Sequence, residues 1–127
     1  MRHNLSGRKL VITGAARGIG EKVARLAAAQ GAQVALIGLE PDRLRALAND
    51  LGPGASWREA DVRDGVALRS AIDGCASTMG GIDIMIANAG VAAYGTVRQA
   101  DEASFERVVD INLNGVFRTL KYATPHL

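Results

Sequence analysis

The chain has 127 residues, 48% hydrophobic and 22% charged, which is typical of one soluble globular domain. Its net charge is +2, and the 15 basic residues are interspersed with 13 acidic ones, which argues against a nucleic-acid-binding surface. A polar amino terminus, no apolar run long enough to cross a bilayer and a single cysteine, Cys75, predict a cytoplasmic protein that does not bind membranes.

The first half of the chain alternates short apolar runs with helical patterns. We predict strands over 9–13 and 33–38, where apolar and β-branched residues follow one another without a break. A helix is predicted after each strand, over 18–30 and 41–51, because glycine follows both segments and apolar residues recur at helical spacing. These apolar residues are Ile19, Val23, Leu26 and Ala27 in the first helix, and Leu44, Leu47 and Leu51 in the second.

The second half continues the same alternation. A shorter, more polar strand is predicted over 56–61, as suits the edge of a sheet, and a fourth strand over 82–87. Between them, Asp64 is expected to cap a helix that ends at Gly80-Gly81. A long helix is predicted from Asp101 or Glu102 to Ala123. The apolar stripe of the helix after Asp64 is Leu68, Ile72, Cys75 and Met79. The stripe of the last helix is Phe105, Val109, Val116 and Leu120, with Asn112 among them.

Strands that alternate with helices over short connections predict a parallel sheet. Because the strands are continuously apolar, both faces of that sheet should be covered by helices. We therefore predict an α/β fold, a Rossmann-like doubly wound sheet, as one domain over residues 1–127.

Three glycines stand between the first strand and the first helix, in the segment TGAARGIG over 13–20. Gly14 suits the tight turn that leaves the strand, Gly18 permits close approach of the backbone to a pyrophosphate, and Gly20 permits close packing of helix on strand. Free N–H groups at the helix start favour an anion there. The spacing predicts a dinucleotide-phosphate site, with a purely structural turn as the alternative.

Four ordered motifs make the chain resemble the short-chain dehydrogenases/reductases. The segment over 13–20 matches the T-G-x-x-x-G-I-G loop of that family, and 60–62 resembles its adenine-contacting motif. The Asn-Ala-Gly sequence over 88–90 and the segment INLNGVF over 111–117 also match, in the expected order. The resemblance covers nearly the whole chain and implies an oxidoreductase that moves hydride between NAD(P) and an alcohol or ketone.

The resemblance also implies which residues contact the cofactor. Asp61 and Val62 would contact adenine, although Asp61 is also a typical turn or cap residue before Asp64. Asn88 would line the cofactor's path, with a plain turn residue as its alternative. The predicted cofactor-binding residues are Thr13, Gly14, Arg17, Gly18, Ile19, Gly20, Glu40, Asp61, Val62, Asn88, Ala89 and Gly90.

Asn112 is predicted as a catalytic residue. It falls on the apolar stripe of its helix, where asparagine is a poor helix former and its amide needs partners. A core asparagine with satisfied hydrogen bonds is the simpler interpretation. In the family that this chain resembles, the position of Asn112 is associated with a local helix distortion and with a water molecule in a proton relay.

The serine and the Tyr-x-x-x-Lys motif that the family's chemistry implies do not occur in the chain. Tyr94 is followed four residues later by Arg98, and Tyr122 by His126, so neither tyrosine qualifies. We therefore expect this chain to be the N-terminal part of a longer enzyme, with a sheet truncated after the fourth strand and the helix that follows it. We expect the chain to be inactive alone.

The second strand ends in Gly38-Leu39-Glu40, which bears on the choice between NAD and NADP. Glu40 lies about twenty residues past the glycines, where an acid pairs with the ribose hydroxyls of NAD. The family's usual aspartate and arginine positions fall on Gly38 and Leu39, so neither marker is present. Arg17 and Arg43 are compatible with a 2′-phosphate contact, with solvated surface charges as the alternative, and Glu40 is also typical of the acid at a helix start before Pro41. We expect NAD or NADP, with a slight preference for NAD.

Two other functions are compatible with the sequence. A noncatalytic dinucleotide-binding or interaction module would explain the missing tyrosine and lysine. An assembly fragment would explain a last helix with apolar residues on two faces, and the resemblance implies a homo-oligomer for the complete protein. No metal site is expected. The residues on those two faces are Phe105, Val109 and Val116, and Val108, Ile111 and Phe117.

Overall fold

A computed structural model describes residues 4–127 and contains a four-stranded parallel sheet. The strands lie in the order β3-β2-β1-β4, with β3 at one edge as its polar sequence predicts. The predicted Rossmann-like sheet is therefore confirmed. Residues 1–3 of the predicted 1–127 domain lie outside the described residues. The strands are β1 (Lys9–Thr13), β2 (Gln33–Gly38), β3 (Ala55–Glu59) and β4 (Ile84–Ile86).

The helices begin close to the residues that the sequence predicts. At the start of α3 the Asp64 carboxylate accepts a hydrogen bond from the Ala67 N–H at 3.0 Å, so the predicted cap is present. Within residues 4–127 no helix is both long and apolar enough to cross a membrane. The helices are α1 (Gly18–Ala29), α2 (Pro41–Leu51), α3 (Gly65–Met79), α4 (Glu102–Val109), a π-helical segment (Asp110–Asn114), α5 (Gly115–Ala123) and a 3₁₀ turn (Thr124–His126).

Buried apolar residues cover both faces of the sheet, as predicted. Because side chains alternate along a strand, Leu10 and Ile12 of β1 face α1 and α2, whereas Val11 faces α3. Cys75 lies in the α3 core, where burial raises the pKa of its thiol to about 11, which fits a packing residue.

Two strands are shorter than predicted. β3 ends at Glu59 because the chain turns after it, where the Asp64 N–H donates to the Asp61 carbonyl at 2.9 Å. β4 covers only the three residues that pair with β1, 84–86, instead of the predicted 82–87. Asp61 therefore lies in a loop just beyond the end of β3.

The predicted apolar stripe of α1 is wrong in part. Ile19 and Leu26 are 76% and 63% exposed, whereas the buried residues of the helix are Gly20, Ala24 and Ala27. A prediction from helical periodicity places the large apolar residues on the buried face. A helix that packs closely on a sheet instead buries its small residues. The sequence predicted the helix correctly and its buried face only in part, since Ala27 is buried as predicted and Ile19 and Leu26 are not.

The predicted continuous helix over 101–123 is also wrong. A π-helical segment, Asp110–Asn114, separates α4 from α5 and includes Asn112. Such segments insert a residue into a helix and redirect the side chains that follow. Phe105 and Leu120, predicted on one apolar stripe, are both exposed. The local helix distortion that the family resemblance implied at Asn112 is present.

Candidate functional site

A cleft of about 360 Å³ lies at the carboxyl ends of the parallel strands. It opens where the strand order reverses, because β1 pairs with β2 on one side and β4 on the other. This switch point is where open α/β sheets bind ligands. The predicted residues that line the cleft are Thr13, Gly14, Arg17, Ile19, Glu40, Asp61, Val62, Asn88, Ala89 and Gly90.

The three glycines of the loop meet different steric requirements. Gly14 and Gly18 adopt positive φ values of 63° and 59°, a conformation that favours glycine. An added Cβ at Gly14 would lie 2.8 Å from the Ala89 Cα, whereas one at Gly18 would meet nothing within 4 Å. At Gly20 an added Cβ would lie 2.2 Å from the Gly14 carbonyl oxygen. The loop thus packs tightly at two positions and presents open backbone at Gly18.

A hydrogen-bond network joins the glycine loop to the end of β4. The Thr13 hydroxyl is buried and accepts from the backbone N–H groups of Asn88 and Ala89, both at 3.1 Å. The Asn88 side-chain amide donates to the carbonyl oxygens of Thr13 and Gly14, at 3.1 and 3.2 Å. The Asn88 side chain thus holds the start of the glycine loop against the end of β4. A residue that only makes a turn would not need these contacts.

Glu40 lies between two arginines at the end of β2. Its carboxylate pairs with Arg17 of the glycine loop and with Arg43 of α2, the latter at 3.2 Å. The side chains of Arg17 and Arg43 are 64% and 59% exposed. The three residues that the sequence singled out for cofactor selection are therefore brought together.

Asp61 makes a close ion pair just beyond the end of β3, the strand that pairs with β2. Its Oδ2 lies 2.7 Å from the Arg63 Nη2, and its Oδ1 accepts from the Arg63 backbone N–H at 2.9 Å. The hydrogen bonds from the Arg63 side chain hold the pKa of the Asp61 carboxyl below its ordinary value, and Arg107 adds to this effect. Asp61 thus makes the turn contact and also lines the cleft.

Asn112 does not line the cleft directly. Its side-chain oxygen accepts from the Val91 N–H at 2.8 Å, and its amide donates to the Val91 carbonyl at 2.7 Å. The exposed residue therefore clamps the loop that follows Gly90. Its amide is satisfied, as the simpler interpretation requires, but not in the core.

Several residues of the cleft escaped the sequence prediction. Val91 directly follows the Asn-Ala-Gly motif, and Arg63 directly follows Asp61-Val62, so proximity to a motif was the available signal. Ile111 begins the INLNGVF motif, so the same signal applied to it, whereas Arg107 lies in α4 outside every motif and only the tertiary structure brings it to the cleft. Among residues 4–127, no three His, Cys, Asp or Glu side chains gather as metal ligands.

Residues 8–127 match the family model for short chain dehydrogenases. The chain is 37% identical over 127 residues to the oxidoreductase UcpA of Salmonella typhimurium, covering 97% of this chain and 48% of that protein. The chain thus spans about half the length of the curated relatives it matches.

Two solved structures of similar fold are complexes with nicotinamide cofactors. A 3-ketoacyl-(acyl-carrier-protein) reductase from Brucella melitensis complexed with NADH has a TM-score of 0.93 and 28% identity, covering 97% of this chain and 51% of its own. A short chain dehydrogenase from Burkholderia cenocepacia in complex with NADP has a TM-score of 0.92 and 32% identity, covering 98% and 53%.

Proposed function

Because the chain belongs to the short-chain dehydrogenase family, we propose that it binds NAD(H) or NADP(H) along the cleft at the carboxyl edge of its sheet. When bound, the nicotinamide supplies or accepts a hydride, here in exchange with a small alcohol or ketone. The chain itself lacks the serine and Tyr-x-x-x-Lys, so we expect it alone to bind cofactor without turnover. A cytoplasmic location and a homo-oligomer stay predictions from the sequence.

One observation carries this proposal: motifs far apart in sequence meet at one cleft. Thr13-Gly14, Asp61-Val62 and Asn88-Ala89-Gly90 all line it, although about 75 residues separate the first from the last. The open backbone at Gly18 fits close approach of a pyrophosphate. In this proposal Asp61 and Val62 contact the adenine, and the glycine loop binds the phosphates. The arrangement fits an extended dinucleotide, which supports a nicotinamide cofactor.

We further propose a preference for NAD over NADP. The Glu40 carboxylate, shared by Arg17 and Arg43, keeps acceptor oxygens for the ribose hydroxyls. The same carboxylate would repel a 2′-phosphate and already occupies the two guanidinium groups that would bind it. One of the similar structures is a complex with NADH and another is a complex with NADP, so the comparison does not favour one cofactor over the other.

Asn112 is proposed to contribute to catalysis through the backbone it holds. Both atoms of its side-chain amide are engaged with Val91, which lines the cleft, so the amide fixes the loop after Gly90. The π-helical segment that carries Asn112 would provide the distorted backbone for the proton relay implied by the family.

Substitution of the open glycine tests cofactor binding with a matched control. Gly18→Ala places a methyl group on the exposed backbone, and Gly7→Ala imposes a comparable positive φ, 73° against 59°, where an added Cβ also meets nothing within 4 Å. Both should destabilise the fold by about 1 kcal/mol. Only Gly18→Ala should weaken NADH binding, by about tenfold or more in a fluorescence titration. Equal NADH affinity in the two variants would contradict the proposal.

A further inference from the structure

A group of polar side chains on the last helical region lies outside the cofactor motifs. The Asp110 carboxylate accepts from the Arg118 Nη1 at 3.0 Å and from the Asn114 amide at 3.2 Å. Asp110 and Asn114 are the first and last residues of the π-helical segment, and Arg118 lies one turn further on, in α5. Arg118 is only 26% exposed, so solvent screens this ion pair less than the Arg17–Glu40 pair.

The same arginine reaches the loop that follows β3. Its Nη1 also donates to the Val62 carbonyl oxygen at 3.2 Å. Beneath this contact the helix approaches so closely that an added Cβ on Gly115 would lie 2.7 Å from the Val62 Cγ2. Arg118 therefore joins the proposed adenine-contacting loop to the π-helical segment through one guanidinium group.

The π-helical segment connects in turn to the loop after β4. Asn112 lies two residues after Asp110 and holds both backbone polar groups of Val91. Hydrogen bonds thus link the Val62 carbonyl through Arg118 to Asp110, and the backbone of the π-helical segment connects Asp110 to Asn112, which bonds to Val91.

We propose that Arg118 is a positioning residue that couples occupancy of the adenine end of the cleft to the placement of Asn112 and Val91. The inference rests on the proposed function, because it takes Asp61 and Val62 as the adenine contacts. A ligand that orders the loop at Val62 fixes the acceptor of Arg118, which stabilises Asp110 and the π-helical segment. A π-helical segment is rare and occurs mostly as a single turn within an α-helix, and here the contacts of Asp110 with Arg118 and Asn114 hold it.

Surrounding charges support this role. Arg63 faces Asp110 as well as Asp61, and its positive charge adds to that of Arg118 in holding the pKa of the Asp110 carboxyl below its ordinary value. Asp110 therefore keeps its charge near neutral pH and stays paired. The coupling should not depend on pH in the physiological range.

Amide hydrogen exchange in the protein tests the coupling directly, with AMP as the probe. In the wild type, AMP should slow exchange of the Val91 N–H by about fivefold, and in Arg118→Ala saturated with AMP this slowing should disappear. The Ala89 N–H, bonded to the Thr13 hydroxyl, should respond equally in both proteins. A direct contact between AMP and Val91 would persist in the saturated variant and would overturn the proposal.

Two further variants keep the result interpretable. Arg69→Ala removes an exposed arginine of α3 that pairs only weakly with Asp73, at 3.8 Å, and should behave as the wild type. Asp110→Asn keeps an acceptor oxygen without the charge, so it should lose part of the coupling even if Arg118→Ala does not fold. Unchanged coupling in Asp110→Asn and Arg118→Ala would overturn the role of Arg118 and leave cofactor binding intact. Failure of AMP to bind a wild type that still binds NADH would overturn the coupling alone, and failure of both to bind would overturn the proposed function as well.

Discussion

The two sides of the cleft are held in place by different kinds of contact. On the glycine side, residues 13–20 and 38–40, backbone packs on backbone: an added Cβ at Gly20 would lie 2.2 Å from the Gly14 carbonyl oxygen. On the helix side, residues 61–63 and 107–118, side chains make the joins, as where Gly115 lies against the Val62 side chain. Backbone cannot move aside without breaking its hydrogen bonds, whereas a side chain can change its rotamer. The glycine side should therefore tolerate substitution less well.

The largest difference is expected between two glycine substitutions. Gly20→Ala should reduce the free energy of unfolding by about 3 kcal/mol, because the new methyl group meets a backbone carbonyl. Gly115→Ala should cost less, about 1–2 kcal/mol, because rotation of Val62 relieves the 2.7 Å contact with its Cγ2 but not the 3.1 Å contact with its Cβ, while alanine favours the helix. Urea unfolding of both variants measures the difference. Equal losses would contradict the contrast between the two sides.

Two buried threonines allow the same contrast to be tested with isosteric changes. Thr13→Val leaves the Ala89 N–H without an acceptor and removes one of the two acceptors of the Asn88 N–H, which keeps the Ile86 carbonyl at 3.1 Å, so it should cost about 2 kcal/mol in unfolding free energy. The Thr119 hydroxyl only donates to the Gly115 carbonyl, one turn earlier in α5, so Thr119→Val should cost less than about 1 kcal/mol. Thermal unfolding of the pair provides the measurement. A larger loss for Thr119→Val would reverse the comparison.

The ion pairs on the glycine side should affect selectivity more than stability. Glu40→Gln removes the charge that opposes a 2′-phosphate and releases Arg17 and Arg43, both more than half exposed. The ratio of NADPH to NADH affinity should rise by about tenfold, equivalent to ~1.4 kcal/mol. Titration of both reduced cofactors measures the ratio. Asp42→Asn, which removes a carboxylate paired with Arg45 in the same helix, is the control and should leave the ratio unchanged.

The smallest effect expected is a pH dependence on the helix side. Hydrogen bonds from Arg118 and then Asn114 hold the folded-state pKa of Asp110 below its ordinary value. A carboxyl whose pKa is lower in the folded state stabilises the protein above its unfolded-state pKa, and this contribution is lost as pH falls through the folded value. Stability should therefore decline below about pH 5, and Asp110→Asn should flatten that decline in acid-unfolding curves. An unchanged slope in the variant would show that the pair contributes nothing.

Local patterns were sufficient for most of the fold. The apolar runs over 9–13 and 33–38 became β1 and β2 at those bounds, because a continuous apolar segment between turn residues has few other stable conformations. The Asp64 cap and the glycine that ends α3 were equally local signals. The face of α1 was not predictable in this way, since the packing distance between helix and sheet decides whether Ile19 or Ala24 is buried.

The residues of the candidate site also fall into two groups, those that a local motif predicts and those that only tertiary packing places there. Of the cofactor-binding residues predicted by motif, all except Gly18 and Gly20 line the cleft, because parallel strands bring their carboxyl ends together at one edge. Arg107 reaches it only through the packing of the last helical region. The Asn112 clamp on Val91 joins residues 21 apart in the chain, and the Arg118 contact with Val62 joins residues 56 apart. No periodicity in the sequence records such a pairing.

The sequence by itself thus determined the parallel sheet, the glycine loop and the motif residues at its edge, because steric requirements at a turn and the period of apolar residues act within a few positions. Only the tertiary structure decided where the last helix breaks, which arginine holds which carboxylate and which side of each helix faces the core. These depend on contacts between segments that meet only once the chain is folded, and their energies do not appear in any local pattern.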